Sequence, residues 1–228
     1  MTFFDQLQTE TAFARSALLA TPVIADCLER RVSLETYQAF LTQAYHHVRH
    51  TVPLLMACGS RLPQRLAWLQ RYVVEYIDEE HGHEQWIYND LAATGADAER
   101  MLAKEPAVAT ELMISYAYDT IARGNPVGFF GMVLVLEGTS VALATNVANI
   151  VQQELALPAN AFSYLRSHGS LDQEHIGTYA EIVNQLDEQR DRDAVVHCAN
   201  IFYKLYTDVL ASIPRADELP GQTTRAVA

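Results

Sequence analysis

Positive charge is scarce in this sequence. Sixteen lysines and arginines face 28 aspartates and glutamates, for a net charge of −12 at pH 7. A surface of that sign repels phosphate backbones and anionic lipid headgroups, which argues against nucleic acid or a membrane as partner. Cysteine is nearly absent too. Cys27, Cys58 and Cys198 are odd in number, scattered and without CxxC spacing. They form no disulfide framework and no thiolate zinc site, and they suit a reducing cytoplasm, each as a small buried hydrophobe. The start, MTFFDQLQTE, lacks the basic residues and apolar run of a secretion signal. Repeats, low-complexity tracts and useful strand-period runs are also missing, so helical periodicity is the only signal left.

What is present is helical spacing punctuated by caps and prolines. The 228 residues suffice for one sizeable core, and half of them are hydrophobic. Ser33 caps a helix that should be kinked or broken at Pro53. Another helix is expected from Gln64 to about Leu91, with Gly95 as its stop. Pro106 opens a helix through Ile121, and Gly124-Asn125-Pro126 turns the chain into the next. A short helical piece from Asn160 should end at His168-Gly169, before a helix capped by Ser170. The expectation is an all-α, single-domain bundle of about seven to eight helices over residues 1–213, followed by a disordered tail at 214–228.

One stretch organises the rest. Gly124–Gln153 is apolar on nearly every face, and its only charge is Glu137. It is long enough to cross a membrane. Its central carboxylate and its asparagines and hydroxyls make it a core helix instead. A carboxylate there is costly unless something pairs with it or coordinates it.

Two other groups hold polar residues at ligand spacing. Glu80 and His83 are three apart and share a helix face. His168, Asp172 and His175 follow at intervals of four and three. With Glu137 they make three carboxylates and three imidazoles from separate helices. Hard oxygen mixed with borderline nitrogen suits iron, with manganese as the alternative, and six donors suit two ions rather than one. Such a pair can bind O2 and reduce it to a peroxo level. Each group has a simpler reading alone: an acidic surface patch, a buried carboxylate paired with arginine, a helix cap with incidental histidines.

This order of residues, Glu80-x-x-His83, then Glu137, then His168-x-x-x-Asp172-x-x-His175, resembles the ligand pattern of the heme-oxygenase-like diiron oxidases and oxygenases. Tyr45-His46-His47-Val48-Arg49-His50 followed by Pro53 is similar to that family's second helix, and the likeness spans about residues 35–190. The resemblance implies a heme-oxygenase-like bundle, two Fe(II)/Fe(III) ions per chain and a peroxo-diferric intermediate. It also implies N-oxygenation, C–H oxidation or oxidative C–C cleavage of a small organic substrate. O2 is the co-substrate, an external reductant is an expected partner, and a homodimer is the expected assembly. Some members carry a further carboxylate before the Glu-x-x-His pair. Here Glu75, Asp78 and Glu84 are close in sequence, while Tyr76 and Val73 hold the positions one and two turns before Glu80. For the substrate pocket the expected residues are His47 (over its neighbour His46), His50, Tyr37, Phe130 and Tyr179. The alternatives on the same fold are a metal-free pyrroloquinoline-quinone synthase-like enzyme and a thiaminase II-like enzyme, which would need a core cysteine. A non-catalytic helical metal-binding protein is the third.

Overall fold

The computed structural model describes residues 1–218, the side chains of residues 170–174 excepted. Among these residues the fold is wholly helical, with twelve α-helices rather than seven or eight. They are α1 (Phe3–Glu10), α2 (Ala12–Leu19), α3 (Pro22–Leu28), α4 (Leu34–Val48), α5 (Thr51–Arg61) and α6 (Ala67–Glu80). Then come α7 (His83–Ala93), α8 (Ala98–Leu102), α9 (Val108–Arg123), α10 (Phe130–Leu155), α11 (Ser163–Asn184) and α12 (Gln189–Ala211).

The higher count arises where long helices are cut, and each cut has a local cause. Thr11 separates α1 from α2, and its hydroxyl donates back to the Leu7 carbonyl at 2.7 Å. Pro53 sits in the first turn of α5, where its missing N–H costs nothing, so the break falls just before it, between Val48 and Thr51. The helix expected over Gln64–Leu91 is interrupted at Gly82, whose φ of +90° only glycine adopts without strain.

One expected break does not occur. α11 runs straight through His168-Gly169. Gly169 marks a close approach instead: a Cβ placed on it would lie 2.4 Å from Thr145 Oγ1 on α10.

α10 is the central helix, packed chiefly on α11 and α12. Pro126–Leu155 is long and apolar enough to cross a membrane, yet more than half of its most apolar window is buried inside the bundle. Leu134 and Val135 belong to one hydrophobic cluster with α5, α6, α9 and α12; Ala144, Ala148 and Val151 belong to a second with α4 and α7. Glu137 and Ser140 fall between the two clusters, where the helix meets a cavity.

Two polar anchors fix the periphery. Asp191 is fully buried at the start of α12 and takes Arg65 in a two-point contact at 2.5 and 2.9 Å, and Asn125 at 2.8 Å. The first residues of the tail expected to be disordered, Pro214 and Arg215, are held on the bundle, and a short helical turn follows at Ala216–Glu218. Thr36 Oγ1 donates to the Pro214 carbonyl at 2.9 Å, and Arg215 Nε meets Asp26 at 2.5 Å. Residues 219–228 lie outside the described residues.

Candidate metal centre

The turn at Gly82 shapes the first half of the site. Glu80 is the last residue of α6 and His83 the first of α7, so the pair does not sit on one regular helix. The turn nevertheless brings His83 Nδ1 to 3.0 Å from Glu80 Oε2, with both side chains buried. His168 comes from α11, its ring 4.9 Å from that of His83. Trp86 stacks on His83 at 3.9 Å, and Tyr164 meets His168 edge-on at 4.8 Å. These aromatics leave the imidazoles few rotamers. Donor atoms of Glu80, His83 and His168 lie within 4.8 Å of one another. Two ligands on opposite sides of one ion are about 4 Å apart, so small side-chain rotations would gather all three around one cation.

Asp90 positions this cluster and escaped the sequence reading. It lies two turns along α7 from His83 and is fully buried. Its carboxylate accepts the backbone amides of Ser163 and Tyr164 at 2.9 and 2.8 Å, capping α11 five residues before His168. Its sequence signal was present but generic: an Asp on the apolar face of a helix.

The second half of the site is on α10 and α11. His175 Nδ1 lies 4.0 Å from Glu137 Oε1, and its Nε2 lies 3.4 Å from Glu79. Glu137 and His175 are both more than nine-tenths buried, whereas half of the Glu79 side chain is exposed. Asp172 is one of the residues whose side chains lie outside the description. Glu75 and Asp78 point to solvent and Glu84 is half-buried; Glu75 pairs with Arg71 at 3.0 Å. The inward positions on this part of α6 are Val73, Tyr76 and Glu80.

Glu80, Glu137 and His168 share the wall of one cavity of about 190 Å³. Elsewhere its lining is mostly apolar, with Leu54, Met132, Leu143 and Val147 among it. Of the expected substrate contacts, Tyr37 and His47 line this cavity. Burial, then the charges of His168 and the neighbouring histidines, push His47 down to about 3, so its ring is neutral near pH 7. The other three lie elsewhere. His50 stands at the start of α5, and its ring meets the Tyr118 hydroxyl at 3.1 Å. Tyr179 donates to the Phe130 carbonyl at 2.9 Å, and both are core packing; Phe129, one position back along the helix, faces the cavity instead. Tyr76, Thr139 and Ser140 line it without having been named as pocket residues. Cys27 reaches its far end, but burial pushes that thiol up to about 11, far from the thiolate a nucleophile needs.

A closed helical bundle with buried carboxylates and imidazoles on one cavity wall defines a class, and the solved structures agree on the fold. A domain of unknown function with a heme oxygenase-like fold from Shewanella denitrificans is similar at a TM-score of 0.82 and 25% identity, over 93% of this chain and 92% of that one. A TenA homologue from Pseudomonas syringae pv. tomato is similar at 0.76 and 12% identity, over 95% and 93%. Heme oxygenase-1 from the cyanobacterium Synechocystis, solved with heme, is similar at 0.70 and 14% identity, over 92% and 91%. Among curated proteins none matches. The family model described as iron-containing redox enzyme matches residues 38–207. The chain therefore belongs to the heme-oxygenase-like, iron-containing redox enzyme family. The donors of this site fit iron: carboxylate oxygen and imidazole nitrogen, with no thiolate among the three that come together.

Proposed function

We propose that this chain is a non-heme iron oxidase or oxygenase that holds two irons and uses O2 on a small organic molecule. The observation that carries the reading is the meeting of Glu80, His83 and His168, from three helices, beside an apolar cavity that Glu80 and His168 line. Those three would hold one ion. Glu137 and His175, with Asp172, would hold the other. Bound iron supplies the redox chemistry towards O2; the protein supplies the rest. Glu80 and Glu137 bring negative charge to balance the cations in a dry site. The apolar wall excludes water and takes the organic part of the substrate. His47, neutral and on that wall, offers ring nitrogen to a polar substrate group. Electrons beyond those of the substrate come from an external reductant. N-oxygenation, C–H oxidation and oxidative C–C cleavage are the candidate outcomes.

One contact favours a second reading. The 3.0 Å approach of His83 to Glu80 also satisfies both groups without a metal, as a metal-free enzyme would require. Anaerobic titration with Fe(II), followed by measurement of bound iron and of O2 uptake with a reductant, separates the two. About two irons per chain with iron-dependent O2 consumption supports the diiron reading. Failure to take up iron sinks it.

A further inference from the structure

Tyr76 is a buried polar residue that the ligand pattern does not use. It stands on α6 one turn before Glu80, so the two side chains project from the same face. The residue is 4% exposed, and its hydroxyl has no hydrogen-bond partner among the described residues. It lines the large cavity beside Glu80 and Glu137, and also a small recess behind it, lined by Glu79 and His175. Its ring meets that of His175 edge-on at 6.0 Å, and among charged groups Glu137 acts on it most strongly. A buried hydroxyl left without a partner is unfavourable, and native interiors rarely tolerate one unless it serves something absent from the protein itself. Tyr76 thus shares one cavity wall with Glu80 and Glu137 and the other with His175.

We propose that Tyr76 is a metal ligand: its phenolate oxygen completes the coordination of the ion held by Glu137 and His175. Phenolate is a hard oxygen donor that suits Fe(III) as carboxylate does, and it occupies the inward position that Glu75 and Asp78, turned to solvent, leave unfilled. On binding, the phenol proton passes to solvent and one oxygen–iron bond forms, with no change in oxidation state. This inference rests on the two-iron reading above, and the test keeps the two apart.

The full-length protein is loaded anaerobically with Fe(II), oxidised with ferricyanide and desalted. Bound iron is counted, and the visible and resonance Raman spectra are recorded. The expected result is about two irons per chain with a phenolate-to-iron charge-transfer band and enhanced tyrosine ring modes. Tyr76→Phe, checked for its fold by circular dichroism, loses the band and binds its second ion at least about tenfold more weakly. Tyr164→Phe, beside His168, keeps the band. Two irons without the band overturns the tyrosine ligand and leaves the two-iron reading standing. A band that survives in Tyr76→Phe overturns it equally. Fewer than two irons in the unmodified protein removes both. If Tyr76→Phe fails to fold, absence of the band from the unmodified protein, or its loss in Tyr164→Phe, still overturns the assignment.

Discussion

The Asp90 carboxylate on α7 accepts the backbone amide of Ser163, the first residue of α11, at 2.9 Å. One contact thus ties the helix that begins with His83 to the helix that carries His168 and His175. Asp90→Ala strips a buried helix start of its acceptor and should cost about 1–3 kcal/mol. Urea unfolding measures that loss. Iron affinity should fall with it, because the His83–His168 approach depends on the same joint. Unchanged iron affinity in a folded Asp90→Ala protein would separate the cap from the site.

Ligand loss should be selective. His175→Ala is expected to lower bound iron from about two to about one per chain, and His83→Ala to do the same at the other position. Elemental analysis of reconstituted protein reads the result. Full iron and activity in both variants would show that these histidines hold no metal.

His47 predicts an acid-labile fold in the metal-free protein. Its folded pKa, about 3, lies below the ordinary 6.5, so the unfolded chain binds the proton more readily. No stability is lost above pH 6.5; below it, stability falls as pH drops towards 3, by at most about 1.4 kcal/mol per pH unit. His47→Leu should flatten that decline in a series of urea midpoints. An unchanged slope would mean that other groups carry the effect.

Gly169 tests the contact between α10 and α11. The Cβ of Gly169→Ala would lie 2.4 Å from Thr145 Oγ1, so one helix must shift, at a cost of about 1–3 kcal/mol. Thr145→Gly in the same chain should recover much of it. The double-mutant cycle in thermal unfolding provides the check.

Filling the cavity should separate metal binding from substrate use. Ala144 is buried on the cavity wall, two turns beyond Glu137 on α10. Ala144→Phe is expected to keep its iron and to lose turnover of the organic substrate by about tenfold or more. Parallel loss of iron would place the obstruction at the metal instead.

Much of this was legible in the residues themselves. The apolar run around Glu137 could only be buried, and a lone buried carboxylate demands a partner. Glu80, His83 and His168 stood out by residue type and spacing, and they do meet. Helix number was less legible, because the cuts at Thr11 and Gly82 depend on side-chain and backbone detail within otherwise continuous helical periodicity. Gly169 looked like a stop for the same reason: glycine allows both a turn and a close approach, and only Thr145 on the facing helix distinguishes them. The sequence by itself determined the helical class, the core helix and the donor types, since those follow from periodicity and the cost of burying charge. Only the tertiary structure decided which aromatics face the cavity. It turned Phe129 inward and Phe130 into the core, sent His50 to Tyr118, and set Tyr76 beside Glu137. Adjacent helical residues differ by about 100° in direction, and which of two faces becomes cavity wall depends on how neighbouring helices pack.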